Sequence, residues 1–373
     1  MLTFDQTKEI LSHFGLVPVT IRPYGSGNIN DTYLIVTKSG LFTLQGVNTT
    51  VFKDPYRLMD NITKVTSHIL RALEAEGRTD QYTLEFLPAN DGSYLVECGD
   101  RAFRICKFIE AHSIDCPEKI EHLYEAGKAF GAFGRRLSDF DASSLFEVIP
   151  RFHDTANRYR VFEESVKNGD PRRVEETAEE IEFVRSKKHL ASVVVDGIAA
   201  GEISLRVTHN DTKINNILFD NDDRCVAVID LDTVMPGSVL YDFGDAMRAG
   251  GCSVSENEAD LDKVRFLPEN FEAYVRGYLS EFPDLTPRER ELLPFSAFLL
   301  TYECGVRFLT DYLDGDVYFK TAYRQHNLVR ARNQFALARD IERQMDLLSR
   351  SSKNTDLQYL VATGDSCSHF FFP

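Results

Sequence analysis

The sequence has little that would suit a membrane, a nucleic acid or a disulfide-stapled scaffold. No apolar run in its 373 residues approaches the ~20 needed to span a bilayer. Positive charge is in deficit: 42 Lys and Arg face 58 Asp and Glu, a net charge of −16. So negative a surface repels phosphate backbones and anionic lipid, leaving room only for a local basic pocket that takes a small phosphate ligand. The seven cysteines, 98, 106, 116, 225, 252, 304 and 367, are odd in number, scattered and free of any CxxC pair. That usage argues against a disulfide framework or a zinc site and predicts reduced thiols in a cytoplasmic protein. Internal repeats and long low-complexity tracts are also missing. The first residues carry Asp5, Lys8 and Glu9 within an apolar pattern, which reads as an amphipathic helix rather than a signal peptide.

What is present is an ordinary globular composition, 43% hydrophobic and 27% charged, in a chain long enough for about two domains and a large core. The first stretch is strand-rich. Thr20–Pro23, Thr32–Thr37 and Leu41–Gln45 alternate with a glycine-containing segment and a Lys38-Ser39-Gly40 turn, which predicts hairpins. Leu58, Ile62, Val65, Ile69 and Leu73 give Tyr56–Glu76 a helical period. Tyr82–Leu87, Tyr94–Glu97 and Ala102–Ile109 read as further strands, with a turn at Asp91-Gly92. After about residue 117 the period becomes helical. Ile120–Phe140 places Leu123, Gly127, Phe130, Gly134 and Leu137 on one stripe, small residues included for close packing. Asp170-Pro171 opens a charged surface helix expected to run to Leu190. These elements predict an α+β chain with two lobes: an antiparallel sheet with one helix over residues 1–110, a mainly helical unit over 111–350, and a tail over 351–373. Phe108-Ile109-Glu110 begins the hinge between them.

The chemistry concentrates in Thr208-His209-Asn210-Asp211-Thr212-Lys213-Ile214-Asn215-Asn216, set between apolar strand-like runs. Fourteen residues beyond Asn216, Asp230 and Asp232 end another apolar run. Phosphoryl transfer needs a carboxylate to orient an acceptor hydroxyl and take its proton, a role for Asp211. It needs a cation near the transferring group, a role for Lys213. It also needs oxygen ligands for magnesium, roles for Asn216 and Asp230, with Asp232 as a further metal contact or a loop anchor. An isolated Asp-Asn loop is most often turn chemistry, and an isolated His such as His209 most often fixes backbone. Order and spacing at several positions together are what favour catalysis.

The string His209-Asn210-Asp211…Asn216 with Ile229-Asp230-Leu231-Asp232 resembles the aminoglycoside phosphotransferase and choline kinase superfamily, relatives of protein kinases. Asp230-Leu231-Asp232-Thr233-Val234-Met235-Pro236-Gly237, Asp242-Phe243-Gly244-Asp245, Phe152-His153-Asp154-Thr155 and Glu303-Cys304-Gly305-Val306-Arg307 are similar to its N-acetylhexosamine 1-kinases. The similarity spans about residues 10 to 340. It implies a two-lobed kinase-like fold, ATP and Mg²⁺, and transfer to the anomeric hydroxyl of N-acetylglucosamine or N-acetylgalactosamine. The residues themselves reach only an ATP-dependent small-molecule kinase.

Between the first two strands, Gly25-Ser26-Gly27 would let backbone amides approach a phosphate, although the third glycine of kinase loops is missing. Gln45 stands where a strand lysine is expected, as it does in the branch it resembles. Backbone groups of Phe108, Ile109 and Glu110 would meet adenine. For the acceptor the resemblance implies Asn28, Arg248, Glu303, Arg307 and Tyr318. Members of the branch have His at the position of Asn28 and an aromatic at that of Ala249. Glu303 and Arg307 are four apart on an apolar helix, so they share a face as an ion pair or as a sugar clamp. Asp242 and Asp245 read as loop-fixing, and His153-Asp154 as a hydrogen-bonded pair. The alternatives are a kinase of another sugar, an amino alcohol or an aminoglycoside, and a non-catalytic nucleotide-binding protein. A protein kinase is disfavoured because no Ala-Pro-Glu follows Asp230.

Overall fold

The computed structural model of the chain describes residues 2–25, 30–99 and 101–362, the segment after 353 as backbone only. Helix α1 (Phe4–His13) opens with a capping box between Thr3 and Gln6. Then come β1 (Pro18–Pro23), β2 (Asp31–Thr37), β3 (Gly40–Val47), helix α2 (Pro55–Glu76), β4 (Val96–Cys98) and β5 (Arg101–Lys107). The strands form one antiparallel sheet in the order β1-β2-β3-β5-β4. Side chains alternate across it. Phe42 and Leu44 of β3 and Phe103 and Ile105 of β5 pack with Ile10 and Leu11 of α1. On the other face, Gln45 and Arg104 stand directly opposite each other in the register.

The expected strand Tyr82–Leu87 is reduced to one bridge, Phe86 to Cys106. Lys107 N–H donates to Glu85 O and Leu87 N–H to Ile105 O, so the segment runs along the end of β5 that β4 is too short to cover. Pro88 then ends the ladder, because proline has no N–H to give.

The helical part begins with α3 (Ile120–Arg136), followed by α4 (Thr155–Asn168), α5 (Pro171–Glu176), α6 (Ala178–Ser186) and α7 (Val193–Ala199). The single helix expected over 171–190 is broken at Thr177, whose hydroxyl donates back to Arg173 O at 2.7 Å. The bend leaves α5 without buried residues while α6 buries Ile181, Phe183 and Val184. Four short strands, β6 (Arg206–Thr208), β7 (Ile217–Phe219), β8 (Cys225–Val228) and β9 (Met235–Gly237), pair as β6-β9 and β7-β8. Then follow α8 (Val239–Gly250), α9 (Pro268–Glu281), α10 (Pro287–Glu291), α11 (Leu293–Leu313) and α12 (His326–Ala362). The boundary expected at 350 therefore falls inside α12. No described helix is long and apolar enough to cross a membrane.

Close helix approach is what fixes the site. A Cβ at Gly127 of α3 would stand 2.2 Å from Tyr274 O of α9, so only glycine permits that contact. Seated there, α3 presents Phe130 and Phe133 edge-on to His209, with centroids 5.5 and 5.8 Å away. A Cβ at Gly244 of α8 would stand 2.4 Å from Ser296 O. That contact locks α8, with Asp242, Asp245 and Arg248, against α11, with Glu303 and Arg307. The glycine of Asp242-Phe243-Gly244-Asp245 thus serves packing.

Candidate active site

The loop between β6 and β7 is held by α8 through its backbone. Asp242 accepts from the N–H groups of His209 (2.8 Å) and Asn210 (2.7 Å), and Asp245 accepts from Thr212 N–H (3.1 Å). Burial pushes the Asp242 carboxyl up to about 6, against the pull of His209 and these two amides. Burial acts the same way on Asp245, but Arg248 and Lys213 outweigh it and hold that carboxyl below its ordinary value. His209 is fully buried; its Nδ1 accepts from Asp211 N–H at 3.3 Å, so Nε2 carries the proton and donates to Ile229 O at 2.9 Å. It fixes the loop. Asn210 has φ +64°, a strained left-handed conformation for a side-chain-bearing residue. Its amide compensates by donating to Thr208 O and Thr233 O.

On this scaffold Asp211, Lys213 and Asn216 converge. Lys213 Nζ lies 2.8 Å from Asp211 Oδ1. Asn216 Nδ2 donates to Asp211 O (2.8 Å) and Oδ2 (3.2 Å). Desolvation would lower the Lys213 pKa, but the carboxylates of Asp211 and Asp245 carry it above its ordinary value, so the ammonium persists.

Asp230 also has a left-handed backbone, φ +59°. The residue opens to solvent, yet the protein crowding its carboxyl, then Asp232 and Asp211, push its pKa up to about 6, against His209 and Arg104. A carboxylate crowded by others gains from a nearby positive charge. Among the described residues no cluster of three or more His, Cys, Asp or Glu forms a metal cage. One carboxylate, Asp230, plus the Asn216 amide oxygen turned away from Asp211, suits magnesium, which keeps waters and phosphate oxygens as its other ligands.

Asp232 stands apart from that donor set. It is 3% exposed. Its Oδ1 lies 2.6 Å from Arg104 Nη1, and its Oδ2 accepts from Asn30 Nδ2 at 2.6 Å. Asp232 thereby serves as a loop anchor, one of the two roles expected of it, although its buried Oδ1 accepts no hydrogen bond from the Arg104 guanidinium beside it.

On α11, Glu303 and Arg307 do not pair. Glu303 is 1% exposed and is held by His153 Nδ1 (2.8 Å) and Thr155 Oγ1 (2.5 Å). Burial would raise its pKa, but His153, Thr155 and the charge of Arg307 hold it below its ordinary value. Buried and already holding two donors, Glu303 anchors His153 and Thr155 to α11. His153 does not bond Asp154 either; Asp154 caps α4 by accepting from Asn157 N–H. Among the described residues Arg307 makes no ion pair. Its guanidinium lies over Phe152 and Phe319, 5.3 and 5.5 Å from the ring centres. Tyr318, 68% exposed, adjoins Phe319. Arg248 is fastened to Asp245 at 3.0 Å, with Glu256 at 3.4 Å. With Ala249, Lys213, Asn215 and Glu256 it lines a cavity of ≈ 260 Å³.

Beside the sheet, Gly25 has φ +78° at the end of the β1 extension. Ser26, Gly27 and Asn28 lie outside the described residues. Tyr24 packs edge-on against Phe108, with centroids 5.3 Å apart. Phe108 N–H donates to Leu41 O, Ala111 N–H to Ile109 O, and His112 N–H to Phe219 O, so the Phe108-Ile109-Glu110 segment bridges β3 and β7. Glu110 is exposed. Gln45 Oε1 accepts from Arg104 Nε at 3.1 Å.

Residues 20–291 match the family described as the phosphotransferase enzyme family, well over half of the chain. The chain belongs to that family. Its kinase-like fold recurs in solved structures. An aminoglycoside phosphotransferase from Alicyclobacillus acidocaldarius subsp. acidocaldarius DSM 446 superposes with a TM-score of 0.62 at 13% identity, covering 96% of this chain and 97% of that one. A microcompartment-associated aminopropanol kinase gives 0.57 at 16% identity, covering 93% and 99%. The ADP-bound aminoglycoside phosphotransferase APH(2'')-Ib gives 0.53 at 16% identity, covering 91% and 99%.

Several residues of this phosphotransferase escaped the sequence reading. Arg104 and Asn30 meet Asp232 only through folding. Asn61 of α2 donates to Phe146 O and Val234 O and so ties α2 beside the Asp230 loop. Asp311 accepts from the N–H groups of Val317, Tyr318 and Phe319. A carboxylate one turn beyond Arg307 on an apolar helix was the available hint.

Proposed function

We propose that the protein is an ATP- and magnesium-dependent kinase that phosphorylates the anomeric hydroxyl of an N-acetylhexosamine. Residues 1–110 serve the nucleotide and 111–350 carry catalysis and the acceptor. The observation that supports the kinase part of this reading is the meeting of Asp211, Lys213 and Asn216 on a backbone fixed by Asp242 and Asp245, with the crowded carboxylate of Asp230 beside them; the sugar rests on the sequence resemblance.

Asp211 orients the acceptor hydroxyl and takes its proton as the acceptor oxygen bonds to the γ-phosphorus. The bond from that phosphorus to the bridging oxygen breaks, and ADP leaves. Asn216 holds Asp211 while offering its amide oxygen, with Asp230, to magnesium. When bound, magnesium neutralises charge on the phosphate oxygens. Lys213 adds positive charge on the same side of the loop. Arg307, flanked by Phe152 and Phe319 and without an ion pair among the described residues, suits a ring with hydroxyl or carbonyl acceptors. Arg248, together with Lys213, keeps the nearby cavity from being purely acidic, which disfavours a polycationic drug. A second reading, an amino alcohol kinase, draws on Asp115 and Glu256 in the wall of the same cavity and on the fold shared with an aminopropanol kinase.

The test is a screen of purified protein with MgATP against N-acetylhexosamines, other sugars, amino alcohols and aminoglycosides, with products read by phosphorus NMR. An anomeric phosphate on N-acetylglucosamine or N-acetylgalactosamine is expected. Phosphate only on an amino alcohol would favour the second reading, and absence of any transfer would defeat both.

A further inference from the structure

Kinase-type sites need a cation reaching from the sheet toward the phosphates, yet β3 offers Gln45. A cation is nonetheless present. Arg104 of β5 is the register partner of Gln45, and the two side chains share the face turned toward α2 and the Asp230 loop. Its Nε donates to Gln45 Oε1 at 3.1 Å, and its Nη1 lies 2.6 Å from Asp232 Oδ1. The other oxygen of Asp232 accepts from Asn30, at the end of the glycine-containing loop, and Asn30 Oδ1 accepts from Asn48 N–H at 3.0 Å. Arg104 and Asp232 are 2% and 3% exposed. A buried ion pair between residues 128 apart in sequence (104 and 232) brings a large desolvation cost, so it signals a site where position matters.

We propose that Arg104, the β5 cation opposite Gln45, sets nucleotide affinity by fixing Asp232 and the loop that carries Asp230. It is a positioning residue: through Asp232 it holds Asn30, just ahead of β2, and the loop that carries Asp230 in fixed relation. Being buried, it acts through Asp232 and does not touch phosphate. The inference rests on the nucleotide reading given above.

Because truncation to Ala strands a buried carboxylate, the test uses Arg104→Gln and the relocated pair Gln45→Lys/Arg104→Gln, each confirmed folded by circular dichroism. The readout is MgADP affinity by calorimetry, with no turnover required. Arg104→Gln should raise the MgADP Kd about 10-fold or more, the scale of one charged contact. Asp232→Asn should add little on top of Arg104→Gln, since both remove the same link. The relocated pair should recover most of the affinity, because the ammonium then leaves from the facing position. A folded Arg104→Gln with wild-type Kd overturns the inference, as does a relocated pair that stays as weak as Arg104→Gln, the result expected if Arg104 only packs on Phe86 and Met59. Wild-type protein that binds no MgADP defeats the nucleotide reading itself and this inference with it.

Discussion

The loop between β6 and β7 and the wall around Arg307 are fastened in opposite ways. The loop's amides at His209, Asn210 and Thr212 are all caught by two carboxylates of α8, and its imidazole is sealed between Phe130 and Phe133. On the wall, Arg307 rests on two aromatic faces and makes no ion pair among the described residues, and Tyr318 stands largely in solvent. Saturated, buried polar groups hold shape. Groups left partly open retain binding energy for a ligand. Glu303 and Arg307 share one helical face and fall on opposite sides of that division.

The comparison predicts unequal damage. The largest effect belongs to Asp211→Asn, where steady-state turnover should fall by about 10²–10⁴-fold, the usual worth of a general base, with MgADP binding retained. Turnover near wild type would remove Asp211 from that role. Next, Arg307→Ala should raise the acceptor KM about 10-fold, the scale of one charged hydrogen bond, and leave the ATP KM nearly unchanged. An equal rise in both would place Arg307 among the scaffold groups. Glu303→Gln should act as scaffold damage, costing about 1–3 kcal/mol in urea unfolding through the His153 and Thr155 contacts, with acceptor KM little altered. A selective rise in acceptor KM would move Glu303 to the ligand side.

The smallest effect is a pH slope. The Asp242 carboxyl rises from 3.8 to about 6 on folding, so the folded chain keeps a proton that the unfolded chain releases between those values. The stability this contributes is complete below about pH 4 and is lost as pH rises through about 6. Asp242→Asn cannot titrate. The stability of wild type relative to this variant should therefore decline from about pH 4 to about pH 6. A flat difference would mean that the two amide bonds hold the carboxylate ionised throughout.

Much of this was legible locally. The order His209, Asp211, Lys213, Asn216 and Asp230 needs only a loop and a hairpin to converge, and the periods of α2, α3 and the first three strands are regular. What was not legible depends on register and distance. Asn30 and Asp232 lie 202 residues apart, and Arg104 gains meaning only when β5 pairs with β3. Glu303 and Arg307 misled because helical spacing shows who shares a face, while His153, far away in sequence, decides who is already bonded. The strand expected over Tyr82–Leu87 dissolved because β5 had room for only part of it, and the 171–190 helix bent because Thr177 bonded its own backbone.

The most direct measurement is manganese EPR titration in the presence of ADP, with Mn²⁺ standing in for magnesium. Wild type should show one nucleotide-dependent bound ion that is lost in Asp230→Ala and weakened in Asn216→Ala. Unchanged Mn²⁺ binding in folded Asp230→Ala would contradict a metal–nucleotide complex centred on these residues.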